Sequence, residues 1–252
     1  MGGTLYLLSD FGEKDCYVAQ MKASVLSFTG GDITMVDITH SVKPGSVRQG
    51  AFLLMSTIPF LSEGSVVLAV VDPGVGTERR GIVCRVGEVL VVTPDNGLPS
   101  WIEPEDIRYL PPPEAGASPT FHGRDWFAPM AARFMVNPGW MGFLEPCFNP
   151  VTLRRGESRL SRGVLATSVA HVDSFGNCIL WTPSEQVEGF RPRTLKIRGI
   201  SVPVVPSRVY DSGEGGILFI QGSQGFSELA VAGGSAEATL DLSPGDEIVL
   251  EE

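Results

Sequence analysis

Ser65–Gly74 reads SVVLAVVDPG, and it decides the architecture. Val66 to Val71 carry no polar side chain, and the run stops at Asp72-Pro73-Gly74. An apolar run of strand length without alternation is what a strand buried on both faces requires, and both faces are covered when helices flank a parallel sheet. The flanking sequence agrees. Upstream, Thr4–Leu8 reads as a short strand. From Lys14 onward Tyr17, Val18, Met21, Val25 and Phe28 recur at helical spacing, and Gly30-Gly31 closes the element. Ile33–Val36 is a second strand ending at Asp37, and a helix over Ser46–Ile58 is stopped by Pro59. Downstream, Gly81–Val86 and Glu88–Thr93 form a tight hairpin ending at Pro94-Asp95-Asn96-Gly97, and Trp126–Val136 is an apolar helix. Residues 1–150 are therefore expected to form an α/β domain, sandwich-like, around a central, mostly parallel sheet.

Between Pro146 and Ser161 the pattern changes. Beyond it come short strands separated by turn chemistry: Gly163–Val172, Asn177–Trp181, Thr194–Ile200, Gly216–Ile220, Leu229–Ala232, Ala238–Leu242 and Glu247–Leu250. No stretch there sustains helical periodicity for ten residues. Residues 160–252 are expected to form a smaller, all-β, barrel-like domain.

Composition narrows the function. The 252 residues are 43% hydrophobic and 19% charged, which excludes a disordered chain. A net charge of −10 leaves no electrostatic case for nucleic acid or for an anionic membrane surface. The longest uncharged stretch, Gln49–Ser62, is interrupted by Pro59 and is too short to span a bilayer. The first residues show no basic n-region or cleavage site. Cys16, Cys84, Cys147 and Cys178 form no C-x-x-C pair, and with three histidines they make no metal cluster, so no metal site is expected. Buried free thiols in a cytoplasmic protein are the expected reading.

Asp10, Asp37, Asp72 and Asp95 each fall at the carboxyl end of an expected strand, the edge of an open α/β sheet where ligands bind. Ordinary turn and N-cap duty explains any one of them alone. Asp10-Phe11-Gly12 and His122-Gly123-Arg124-Asp125 resemble kinase motifs, but in reversed order and without a glycine-rich loop and lysine upstream. Gly74-Val75-Gly76-Thr77 lacks a P-loop ending. His40 can serve a turn and His171 a strand interior. His122, in a loop before an apolar helix, is the best histidine for acid–base work.

Taken in order, Ser9-Asp10-Phe11-Gly12 with Asp15 and Tyr17-Val18-Ala19, Asp37-Ile38-Thr39-His40, Val71-Asp72-Pro73-Gly74-Val75-Gly76 and Pro94-Asp95-Asn96-Gly97 open a recognisable series. Phe121-His122-Gly123-Arg124-Asp125, Asp173-Ser174-Phe175-Gly176-Asn177 and Gly222-Ser223-Gln224-Gly225 complete it. The series resembles the S-adenosyl-L-methionine (SAM) hydroxide adenosyltransferases, adenosine-forming SAM hydrolases related to SAM-dependent fluorinases and chlorinases. The resemblance runs from residue 4 to about 240. It implies hydrolysis of SAM to adenosine and L-methionine by water attacking ribose C5′. SAM would be the substrate, and no cofactor is implied.

The resemblance also implies catalytic roles for Asp72, Arg79 and His122. Asp72 and His122 would hold the water and take its proton, and Arg79 would fix the carboxylate. Asp10 would bind the ribose hydroxyls, Asp15 and Asp173 the methionine ammonium, and Ser223, with Gln224 beside it, the methionine carboxylate. Phe175 and Asn177 would stack on and bond the adenine. A carboxylate at position 72 argues against halide chemistry, because it would repel the halide. A 5′-halogenase and a non-catalytic SAM or adenosine sensor are the alternatives. The sequence departs from the pattern at Ala232 and Ser235, where related proteins carry asparagines, and at Gln224, where the halogenases carry arginine. A homotrimer with sites between subunits is the assembly the resemblance implies.

Overall fold

The computed structural model describes residues 3–210 and 215–252, which form two compact units, 1–154 and 155–252. The first contains β1 (Thr4–Ser9), α1 (Tyr17–Thr29), β2 (Thr34–Thr39), α2 (Val47–Thr57), β3 (Val66–Val70), β4 (Gly81–Val86), β5 (Val89–Pro94), β6 (Asp106–Tyr109) and α3 (Ala128–Val136). Its strands make one sheet in the order β2-β1-β3-β5-β4-β6. The pairs β2–β1, β1–β3 and β3–β5 are parallel, and the hairpin partner β4 and then β6 extend the sheet antiparallel.

Every residue of β3 is buried, as its unbroken apolar run requires. Val66, Leu68 and Val70 pack on one face with Met21 and Val25 of α1 and with Ala131, Ala132 and Phe134 of α3. Val67, Ala69 and Val71 pack on the other with Leu54 of α2. The period-two alternation of strand side chains thus feeds two cores from one hydrophobic stretch. α1 ends where Gly30 adopts φ 72°, a left-handed cap that costs glycine nothing.

The second unit contains β7 (Arg159–Ser161), β8 (Val164–Val172), β9 (Cys178–Pro183), β10 (Thr194–Ile197), β11 (Ile200–Ser207), β12 (Ile217–Gln221), β13 (Phe226–Val231), the short α4 (Ala236–Leu240) and β14 (Glu247–Glu251). Seven strands run β14-β10-β11-β12-β13-β9-β8, and pairing of β14 with β8 closes them into a barrel, with β7 attached to β8. Only β11–β12 is parallel among these pairs. Leu165, Leu180, Leu195, Leu229, Ile248 and Leu250 fill the interior.

Several expectations at the level of elements need correction. Asp37 lies inside β2, which runs on to Thr39, rather than at its end. Ala238–Leu242 is not a strand: Ser235 accepts the Ala238 N–H through its hydroxyl at 3.0 Å and starts α4. A short cap bond decides the conformation of a segment too brief to show a period. Thr194–Ile200 is interrupted at Arg198 (φ 48°) and Gly199 (φ 81°), which turn β10 back into β11. β11 is a strand despite Pro203 and Pro206, and β6 and β7 are too short to stand out as strands in the sequence. Of the four free cysteines Cys84, Cys147 and Cys178 are buried, but Cys16 is exposed just before α1.

Candidate active site

In the first unit two loops at the carboxyl ends of the parallel strands meet the segment that carries His122. The β1 end supplies Asp10, the β3 end supplies Asp72, and the following turn supplies Arg79. The turn is tight: Gly76 has φ 77°, and a Cβ there would meet the Pro119 carbonyl oxygen at 2.6 Å. Only glycine lets the Asp72 loop lie against the segment leading to His122.

Arg79 joins the three residues. Its Nε donates to both oxygens of Asp72 at 2.8 and 3.0 Å, and its Nη2 donates to Asp72 Oδ2 and to His122 Nδ1, the latter at 3.0 Å. The two partners of the ion pair are largely withdrawn from water, with side chains 9% and 5% exposed. The guanidinium carbon lies 5.2 Å from the Trp126 ring centre and 4.9 Å from that of Phe127, so two aromatic rings hold it from behind. Trp126 meets His122 edge-on at 5.3 Å and anchors its indole N–H on the Pro111 carbonyl. Arg79 Nη1 is buried and meets no protein acceptor among the described residues.

A guanidinium can only donate, so Nδ1 of His122 is the acceptor and the neutral ring carries its proton on Nε2. Burial pushes the His122 pKa below 6.5, and the adjacent positive charge of Arg79 pushes in the same direction. Asp10 accepts the Gly45 N–H at 2.7 Å. Burial raises its pKa, against that hydrogen bond, and the nearby charge of Asp72 adds to the rise. Asp15 is exposed in the loop before α1. His40 is buried at the β2 end, and Asn96 donates its side-chain amide to the Val71 carbonyl at 2.8 Å, fixing the strand that leads into Asp72.

The second unit carries a cavity of about 640 Å³ whose lining includes Asp173, Phe175, Asn177, Ser223 and Gln224. Asp173 accepts the backbone N–H groups of Phe175 and Asn177 and the Asn177 side-chain amide, each at 2.9 Å. This Asx turn presents the Phe175 ring to solvent, 79% exposed, while Asn177 is buried. A Cβ at Gly176 would stand 2.1 Å from the Ser235 hydroxyl, so the turn packs directly on the start of α4. Ser235, one of the departures from the family pattern, is here a cap.

Glu228 and Tyr210 also line this cavity, and the sequence reading passes over both. Glu228 is 5% exposed and accepts from the Tyr210 hydroxyl. Burial raises its pKa, opposed by the Tyr210 bond and aided by Asp173. The signal was present, since Glu228 is the one charge in the apolar strand Phe226–Val231, and a buried carboxylate is seldom idle. In the first unit Trp126, which the sequence places at the start of an apolar helix, supports both Arg79 and His122.

An α/β unit with a carboxylate, guanidinium and imidazole array at its sheet edge, followed by a β-barrel whose cavity holds Asp173, Asn177 and Glu228, defines a two-domain small-molecule enzyme class. The family models for the SAM hydroxide adenosyltransferase N-terminal and C-terminal domains match residues 5–139 and 167–249. The chain is 39% identical over 256 residues to "(R)-S-adenosyl-L-methionine hydrolase" of Thermus thermophilus, covering 96% of each. A more distant relative, "Fluorinase" of an Actinoplanes species, is 27% identical over 88% of this chain and 89% of its own. A solved structure of an uncharacterized conserved protein from Thermotoga maritima superposes with a TM-score of 0.91 at 28% identity, covering 98% of this chain and all of that one. This chain belongs to the SAM hydroxide adenosyltransferase family.

Proposed function

We propose that this enzyme hydrolyses SAM to adenosine and L-methionine by attack of water on ribose C5′. The observation that carries the reading is the buried Asp72–Arg79–His122 array. Sulfur leaves as a neutral thioether, so the leaving group needs no acid. The site has only to hold a water opposite the sulfur and accept one proton. SAM is the substrate, and a reaction written this way needs neither metal nor redox cofactor.

Asp72 takes the proton. With Nδ1 committed to Arg79, neutral His122 offers Nε2–H as a donor that holds the water oxygen, which leaves the carboxylate as the acceptor. Arg79 orients that carboxylate by bonding both of its oxygens. Arg79 Nη1, a buried guanidinium donor without a protein acceptor among the described residues, calls for a water or ligand oxygen. Asp10 binds the ribose diol, and Asp15 and Asp173 the methionine ammonium. Ser223 and Gln224 bind the methionine carboxylate, and Phe175 and Asn177 the adenine. The same array disfavours halogenation, because a buried carboxylate repels a halide ion.

The relatives' name specifies the R configuration at the sulfonium sulfur, and we assign the same epimer to this chain. The proposed assembly is a homotrimer in the cytoplasm, with each site formed between subunits. It is supported by the division of site residues over two units and by exposed Phe143 and Phe148 on the first. No helix among the described residues is long and apolar enough to cross a membrane.

Incubation with mixed SAM epimers in ¹⁸O-water tests the chemistry. The expected products are 5′-¹⁸O-adenosine and unlabelled methionine, with the R epimer consumed first. Saturable binding without turnover would replace the reading with a sensor, and 5′-chloro-5′-deoxyadenosine in the presence of chloride would replace it with a halogenase.

A further inference from the structure

His40 takes no part in the reaction as written, yet its contacts bracket Asp10. Ser9, the last residue of β1, is fully buried and places its hydroxyl 2.7 Å from His40 Nδ1. The same hydroxyl accepts the Phe11 N–H at 3.4 Å. Beyond Asp10 the Gly12 N–H donates to the His40 carbonyl at 2.7 Å. His40 therefore grips the chain immediately before Asp10 with its ring and two residues after it with its backbone. Gly45, farther along the His40 loop, donates to the Asp10 carboxylate itself.

The far edge of the ring is also held. Nε2 lies 3.1 Å from Asp37 Oδ1, and Lys22 Nζ reaches Asp37 Oδ2 at 2.6 Å. Burial pushes the Asp37 pKa up, but the bonds from Lys22 and His40 outweigh it and hold the value below the usual carboxylate range. An ionised Asp37 can only accept, so Nε2 carries a proton toward it, and Nδ1 is left to bond the Ser9 hydroxyl. An irregularity in the β1–β2 pairing after Leu7 sets this arrangement by inserting Ile38 between the partners Asp37 and Thr39.

We infer that His40 is a positioning residue that aims the Asp10 carboxylate at the ribose diol and so governs recognition of the 2′-hydroxyl. The inference rests on the reading of Asp10 as the ribose-binding residue. His40 touches no reacting atom and acts through Ser9 and the loop.

The test compares adenosine with 2′-deoxyadenosine binding to the full-length protein by calorimetry, with melting followed in parallel. Wild type is expected to prefer adenosine by about tenfold to a hundredfold, the span of a charge-assisted hydrogen bond. Asp10→Asn should bring the ratio near one. His40→Gln keeps reach to Asp37 but loses Ser9, and should cut the ratio roughly fivefold. His40→Asn puts an amide oxygen where Nδ1 stands and should restore most of it. Ser9→Ala should match His40→Gln, and it carries the comparison if that variant does not fold. A wild-type ratio in Ser9→Ala and His40→Gln, beside a collapsed ratio in Asp10→Asn, would overturn the role of His40. A wild-type ratio in Asp10→Asn would instead overturn the ribose assignment beneath it.

Discussion

Asp72 and Arg79 form a nearly dry ion pair, and removing one partner of such a pair strands the other's charge. Asp72→Asn retains the shape but loses the proton acceptor. Turnover, followed as adenosine release, should fall by about 10²–10⁴, while SAM affinity measured by calorimetry stays within a few-fold. His122 adds a pH signature. Its folded-state value lies below 6.5, so the unfolded chain takes up a proton that the folded chain refuses in the interval beneath 6.5. Stability should therefore decline as the pH falls below 6.5, and His122→Asn should show a shallower decline in thermal melting. Activity should follow the same direction, because a protonated Nδ1 faces Arg79 as a like charge. Its acid limb should lie below 6.5 and move in a variant that opens the site to solvent.

At the scale of elements, the support behind the array is tight. A Cβ on Gly81, the first residue of β4, would stand 2.9 Å from both Trp126 and Phe127. Gly81→Ala should cost about 1–3 kcal/mol in chemical denaturation and lower turnover by displacing the rings behind Arg79. In the barrel, Ser235→Ala removes the cap of α4 and should cost about 1 kcal/mol. Its larger effect should be on the Asp173–Asn177 turn, which packs on Ser235. Weakened binding of adenosine with a small change in melting temperature is the expected pair of readings.

At the scale of the whole molecule, the first unit packs two hydrophobic cores, one on each face of its sheet, and the barrel packs its own. The barrel is closed by its last strand, β14, which pairs with both β8 and β10. Deleting Glu247–Glu252 leaves two open edges and exposes Leu165 and Leu195, which pack with Ile248 and Leu250. Hydrogen exchange should then show residues 155–246 losing protection while residues 1–154 keep theirs. Equal protection loss in both units would contradict their independence. Light scattering on the intact protein should give three times the 27.0 kDa chain mass, and a monomer that still turns over SAM would overturn the proposed assembly.

The parallel sheet was legible in the sequence because Val66–Val71 has no polar face and helical patterns flank it, as a strand covered on both sides by helices requires. Asp10, Asp72 and Asp95 were legible as strand-end residues too, since a strand's carboxyl end is marked by where its apolar run stops, whereas Asp37 lies inside β2. Local chemistry settled both, and the ordered motifs carried the family. Two short-range features escape a periodic reading: the Ala238 N–H bond to the Ser235 hydroxyl makes a helix of a segment that reads as strand, and Arg198-Gly199 splits one strand into two. Tertiary structure alone decided the rest. The closure of the barrel depends on a pairing between β8 and β14, about eighty residues apart in sequence, which no local period encodes. The protonation of His122 and the buried carboxylate of Glu228 follow from neighbours brought in from elsewhere in the chain. A sequence displays its polar groups, but only the packed molecule sets which of them lose water and which partner replaces it.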